Sequence, residues 1–145
     1  MLRAGERRGQ LLAIDYLPSG HPDAFVRLVY DSDGAETPLA TNVETADSLI
    51  QQTRGLMFRR SIPDDYALAF RFDTAKTRDI HMLFVFTSLD VIWVEDGTVS
   101  RVETLRPWLG FARARADLIL ELPAGGADGV EAGDQIRLEA PSSPN

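Results

Sequence analysis

The sequence has no cysteine. Disulfides, thiolate nucleophiles and cysteine-based metal sites are therefore excluded. Only two histidines are present, His21 and His81, so a metal site would have to lean on carboxylates. Lysine is almost missing: Lys76 stands alone among 15 basic residues, the rest arginine. No apolar run approaches the roughly 20 residues that a bilayer span needs. The basic start, Met1 to Arg8, is followed only by a short apolar patch at Leu11 to Ile14, too little for a secretory leader of about 7–15 apolar residues. A cytoplasmic protein without a membrane partner is expected. With a net charge of −7, nonspecific binding to nucleic-acid phosphates is disfavoured. Scarce lysine, abundant arginine and abundant aspartate fit a GC-rich genome, and equally a halophile or a plain acidic protein.

What is present is one domain's worth of chain: 145 residues, 44% hydrophobic and 26% charged, enough to bury a real core. A single domain over 1–145 is expected, with 1–10 and 141–145 frayed. Ala24 to Tyr30 is β-branched and aromatic, hence a strand. Asp31-Ser-Asp-Gly is a turn signal leading to a return strand at 36–40. From Thr41 the pattern predicts a helix. Thr41 and Glu44 have capping-box spacing, and Val43, Ala46, Leu49, Ile50 and Thr53 recur at helical intervals. Arg54 sits late in this span and Gly55 is placed to end it.

Further strands are expected at Tyr66 to Phe72, Ile80 to Phe86, Leu89 to Glu95, Val99 to Leu105, Asp117 to Leu122 and Gln135 to Glu139. Asp73 to Arg78 reads as a polar connection, and Glu95-Asp96-Gly97-Thr98 as a hairpin turn. A short helical turn fits between Ala124 and Gly129. The resulting fold class is α+β: a β-rich domain with one main helix and a curled or barrel-like, mostly antiparallel sheet.

Four ordered phrases carry a family resemblance. They are Thr53-Arg-Gly-Leu-Met-Phe-Arg-Arg, Ile80-His-Met…Ser-Leu-Asp-Val-Ile-Trp, Leu120-Glu-Leu-Pro-Ala-Gly and Gly133-Asp134. Together, over about residues 43–138, they resemble domain-of-unknown-function family 192. That family's usual tryptophan before methionine is His81 here, and its Asn-Thr falls near Phe84-Val85. The resemblance implies a compact β-rich domain and supplies no reaction.

The polar residues placed in or beside apolar runs are Arg54, Arg59, His81, Asp90, Glu121 and Asp134. Unpaired charges there are costly, and arginine is the natural partner for a buried carboxylate. One reading is a structural network in which Arg54 and Arg59 tie the helix end to Asp90 and Glu121. A second is a small anion held by the two arginines. A third is an enzyme, hydrolase-type or metal-dependent, using His81, Asp90 and Glu121 as an acid–base or ligand set. No GxSxG elbow, Walker loop, HExxH or GxGxxG accompanies them, and no cofactor is expected. Trp108, in Arg106-Pro-Trp-Leu-Gly-Phe, is the aromatic expected to be exposed, as an interface anchor, a pocket lid or a cover over a barrel end. The function expected is a small binding or interaction domain with a site formed by Arg54, Arg59 and Trp108. Its partner is a small anion or a protein, and homodimerisation through Trp108 or a strand edge is an open option.

Overall fold

The structure, a computed structural model, describes residues 26–46, 61–82 and 84–139. It contains seven strands: β1 Val26–Ser32, β2 Ala35–Ala46, β3 Tyr66–His81, β4 Leu89–Glu95, β5 Thr98–Leu105, β6 Phe111–Pro123 and β7 Gln135–Glu139. They close into a barrel in the order β1-β2-β3-β6-β4-β5-β7. Every pairing is antiparallel except that of β2 with β3. Among the described residues there is no helix, so the α+β expectation is corrected to a β-barrel.

The predicted helix fails where it was to begin. Residues 41–46 are the second half of β2, and they pair in parallel with Tyr66 to Phe70 of β3. Thr41 and Glu44 make no capping box. The Tyr66 hydroxyl donates to Glu44 Oε2 at 2.8 Å, and the Thr41 and Asn42 amides donate to the Asp65 carbonyl. Val43 enters the barrel interior while Asn42, Glu44 and Thr45 are exposed. Barrel pairing outweighs helical spacing here, because the backbone groups of this stretch find their partners in β3 and at Asp65. The rest of that helix lies outside the described residues, as do the chain ends expected to fray.

Two apolar clusters lie on opposite faces of the sheet. One collects side chains from all seven strands, including Leu28, Val43, Ala67, Ile92, Val99, Leu120 and Ile136, and is the barrel interior. The other lies on the outer face of β3, β6 and β4, around Leu68, Phe70, Val91, Trp93 and Ile119. Burial on both faces explains why YALAF, VIWV and LIL run without polar interruption. Trp93 is fully buried and donates its indole N–H to the Arg78 carbonyl at 3.3 Å.

Beyond the barrel, β3 and β6 continue as a long two-stranded arm, from Lys76 opposite Ala116 to His81 opposite Phe111. The stretch 73–78, expected as a connection, is strand after an irregularity in register between Arg71 and Lys76. Conversely, the run 80–86 is not a central strand. β3 ends at His81, and 84–88 is not strand.

Candidate functional site

Asp90 stands in β4 opposite Leu122, and Glu121 stands in β6 opposite Val91. Neighbours along a strand point to opposite faces, so the two carboxylates lie on opposite sides of one sheet. Asp90 faces the interior cluster. Its Oδ1 accepts the Thr104 hydroxyl at 2.7 Å, and its Oδ2 accepts the amides of Gly125 and Ala127, each at 3.0 Å. These bonds satisfy a buried charge. They also pin the run of turns from Ala124 to Gly129, and so join the Leu-Asp phrase to the Leu-Pro-Ala-Gly phrase. Gly126 is required there: a Cβ would sit 2.9 Å from the Leu122 Cβ and the Pro123 carbonyl.

Glu121 is 8% exposed, on the face of the outer cluster. Among the described residues its carboxyl has no hydrogen-bond or ion-pair partner. Burial in apolar surroundings pushes its pKa up to about 8. It therefore keeps its proton at neutral pH, whereas Asp90 sits in a cage of donors suited to a carboxylate.

Arg54 and Arg59 lie outside the described residues, so the pairings expected of them do too. His81 is exposed at the end of β3. The set His81, Asp90 and Glu121 is not brought together: one residue is at the arm's end, one faces the interior and one faces the outer cluster. Asp134 caps a turn, its Oδ2 accepting the Glu131 amide at 2.8 Å.

His81 and Trp108 do fall at the same end of the β3–β6 arm. Two segments, 81–86 and 106–111, interlock at the end of the β3–β6 arm. The Met82 amide donates to the Gly110 carbonyl, and the Trp108 amide reaches the Met82 and Val85 carbonyls at 3.0 and 3.2 Å. The Trp108 ring takes edge-to-face contacts from Phe84 and Phe86, with centroids 5.2 and 5.4 Å away. Met82 and Val85 are buried, whereas His81, Phe84 and Phe86 are exposed. Trp108 is 43% exposed, Phe111 55% and Leu109 84%.

Strain collects at this tip. Phe84 and Trp108 adopt positive φ, 63° and 65°, a conformation costly for bulky side chains. The Thr87 hydroxyl is buried without a hydrogen-bond partner among the described residues. Gly110 is obligatory, since a Cβ would lie 2.8 Å from the Arg106 backbone. Of these residues sequence reasoning singled out only Trp108 and His81, with Phe111 noted as its neighbour. Leu109, Arg106 and the two phenylalanines were missed, because the run 80–86 has the composition of a buried strand.

The family model described as Uncharacterized ACR (DUF192) matches residues 30–138. An uncharacterised-family (UPF0127) protein of Thermococcus sibiricus is 34% identical over 103 residues, 67% of this chain and 66% of that protein. Another from Thermococcus kodakarensis is 31% identical over 57% of this chain and 54% of its own length. The chain thus spans between about half and two-thirds of these curated relatives. A solved protein of Sinorhizobium meliloti, described provisionally as a transcription regulator, superposes with a TM-score of 0.69 at 26% identity, covering 82% of this chain and 98% of that one. A protein of unknown function from Novosphingobium aromaticivorans gives a TM-score of 0.66 at 22% identity, over 77% and 83%, a likeness of fold alone.

Proposed function

The chain belongs to domain-of-unknown-function family 192, and from that premise we propose that it is a binding domain whose contact surface is the tip around Trp108. The observation that carries this reading is the grouping of Trp108, Leu109 and Phe111, exposed side by side on a braced and strained loop pair. Large apolar side chains held out in water at backbone cost are characteristic of interaction sites. Trp108 has the composition and the rigid support of an interface anchor.

The carboxylates offer less. Asp90 is fully engaged in holding a turn. The enzyme alternative retains one supporting observation, the buried acid Glu121 with its raised pKa, but among the described residues its carboxyl has no hydrogen-bond or ion-pair partner to share proton transfer. The small-anion site of Arg54 and Arg59 rests on sequence alone.

The test is a photo-reactive residue placed at Leu109, with a control at Ala132, exposed in the turn before β7. Irradiated in cells, the Leu109 probe is expected to give a defined adduct, protein or lipid, that the Ala132 probe does not. Equal adducts, or none from either position, would remove the binding reading.

A further inference from the structure

The geometry points to a phospholipid surface carrying anionic headgroups as the occupant of the tip, docked without being crossed. This rests on the binding reading of the same tip and names its partner. Three observations separate the candidates.

The first is charge. The chain has 22 acidic residues in 145, yet the segments 80–89 and 104–116 that build the tip and its approach contain none. Their charged residues are Arg106, Arg113 and Arg115, with His81 beside them. Arg115 is held by Glu95 and Arg113 by Asp79. Arg106 is exposed, and its side chain has no hydrogen-bond or ion-pair partner among the described residues. In an otherwise acidic protein this is a face turned toward negative charge. A second copy of the chain would bring the same arginines against one another across a two-fold axis, with no carboxylate in either segment to meet them. That disfavours a homodimer through this tip.

The second is shape. Leu109 is 84% exposed at the apex of the 106–110 turn, so the surface is convex. In a protein interface such a protruding leucine needs a matching pocket in its partner. A lipid surface accommodates it anywhere.

The third is the order of side chains. An aliphatic apex (Leu109) is flanked in the chain by aromatic residues (Trp108, Phe111), with Arg106 opening the same turn. Tryptophan favours the headgroup level, and arginine reaches phosphate while its stem lies along apolar surface. The Arg113 guanidinium lies 5.5 Å from the Phe111 ring centroid, so a cation also borders the second ring. No span is needed for docking of this kind, so the sequence expectation of no membrane partner, which rested on missing spans, does not bear on it.

The experiment is co-sedimentation of the full chain with vesicles of phosphatidylcholine, alone or mixed with phosphatidylglycerol, with Trp108 emission followed in parallel. Uptake is expected on the mixed vesicles, with a blue shift, and it should fall as salt is raised. Leu109→Ser should lower the partition coefficient about tenfold. Arg106→Gln should lower it about fivefold on the mixed vesicles only. Both positions are exposed, so unchanged thermal unfolding confirms that the variants fold. No uptake, or uptake indifferent to Leu109→Ser, would overturn the lipid assignment. A doubled mass in sedimentation that Leu109→Ser abolishes would overturn it in favour of a second copy. A protein adduct from the photo-probe at Leu109 without vesicle uptake would overturn it while leaving the binding reading in place.

Discussion

At the residue scale, two buried carboxyl groups one ladder step apart have opposite chemistry, and the difference lies in what faces them. Asp90 meets three donors. Asp90→Ala would strip the partner from the buried Ala127 amide and from the part-buried Gly125 amide and Thr104 hydroxyl, at a cost on the order of 3 kcal/mol, read as a lower urea midpoint with an unchanged slope. Glu121 meets apolar neighbours, and its pKa rises from 4.5 to about 8. Below pH 4.5 the acid is protonated whether folded or not, so it brings no penalty. Between about 4.5 and 8 the unfolded chain loses the proton and the folded chain keeps it, so folding stability falls as pH rises, by about 1.4 kcal/mol per unit. Glu121→Gln should therefore match the parent near pH 5 and exceed it in stability at pH 8. Parallel stability profiles for the two proteins from pH 5 to 8 would show that Glu121 is not the buried neutral acid described here. Phe84 adds a backbone test. At φ 63° asparagine is more easily accommodated than alanine, so Phe84→Asn should be about 1 kcal/mol more stable than Phe84→Ala in thermal or urea unfolding. Equal stability of the two would remove backbone strain as the reason.

At the element scale, what was legible in the sequence was what local chemistry decides. β4 and β7 run over the residues that their patterns indicate, and both hairpin turns take positive φ at Asp33-Gly34 and Asp96-Gly97, as their sequences require. What was illegible is what the barrel imposes. Thr41 to Ala46 carries a helix-start spacing, and it is the pairing with β3 that makes it strand. Asp73 to Arg78 looks like a loop because both faces of the β3–β6 arm are wet or half-buried there, so no alternation of burial marks the strand. Ile80 to Phe86 looks like a core strand, yet Met82 and Val85 turn in while Phe84 and Phe86 turn out to brace Trp108. For the site, this meant that Trp108 could be seen as exposed from its place after Pro107. The platform around it depended on a loop that the composition disguised as sheet.

At the scale of the whole molecule, the barrel and its outer cluster form a framework that carries an arm, and the arm carries the exposed rings. Three central strands buried on both faces give the arm a rigid base, and the Asp90 clamp closes one edge of that base. The central claim is that the end of the arm, not the buried carboxylates, is where the protein meets its partner. Hydroxyl-radical footprinting in cells, compared with the purified chain, tests it most directly. The account predicts that oxidation of Trp108, Leu109 and Phe111 is slowed several-fold in cells, with exposed residues away from the arm, such as Pro38 in β2 and Pro63, unchanged. Equal oxidation of the tip in cells and in isolation would contradict it.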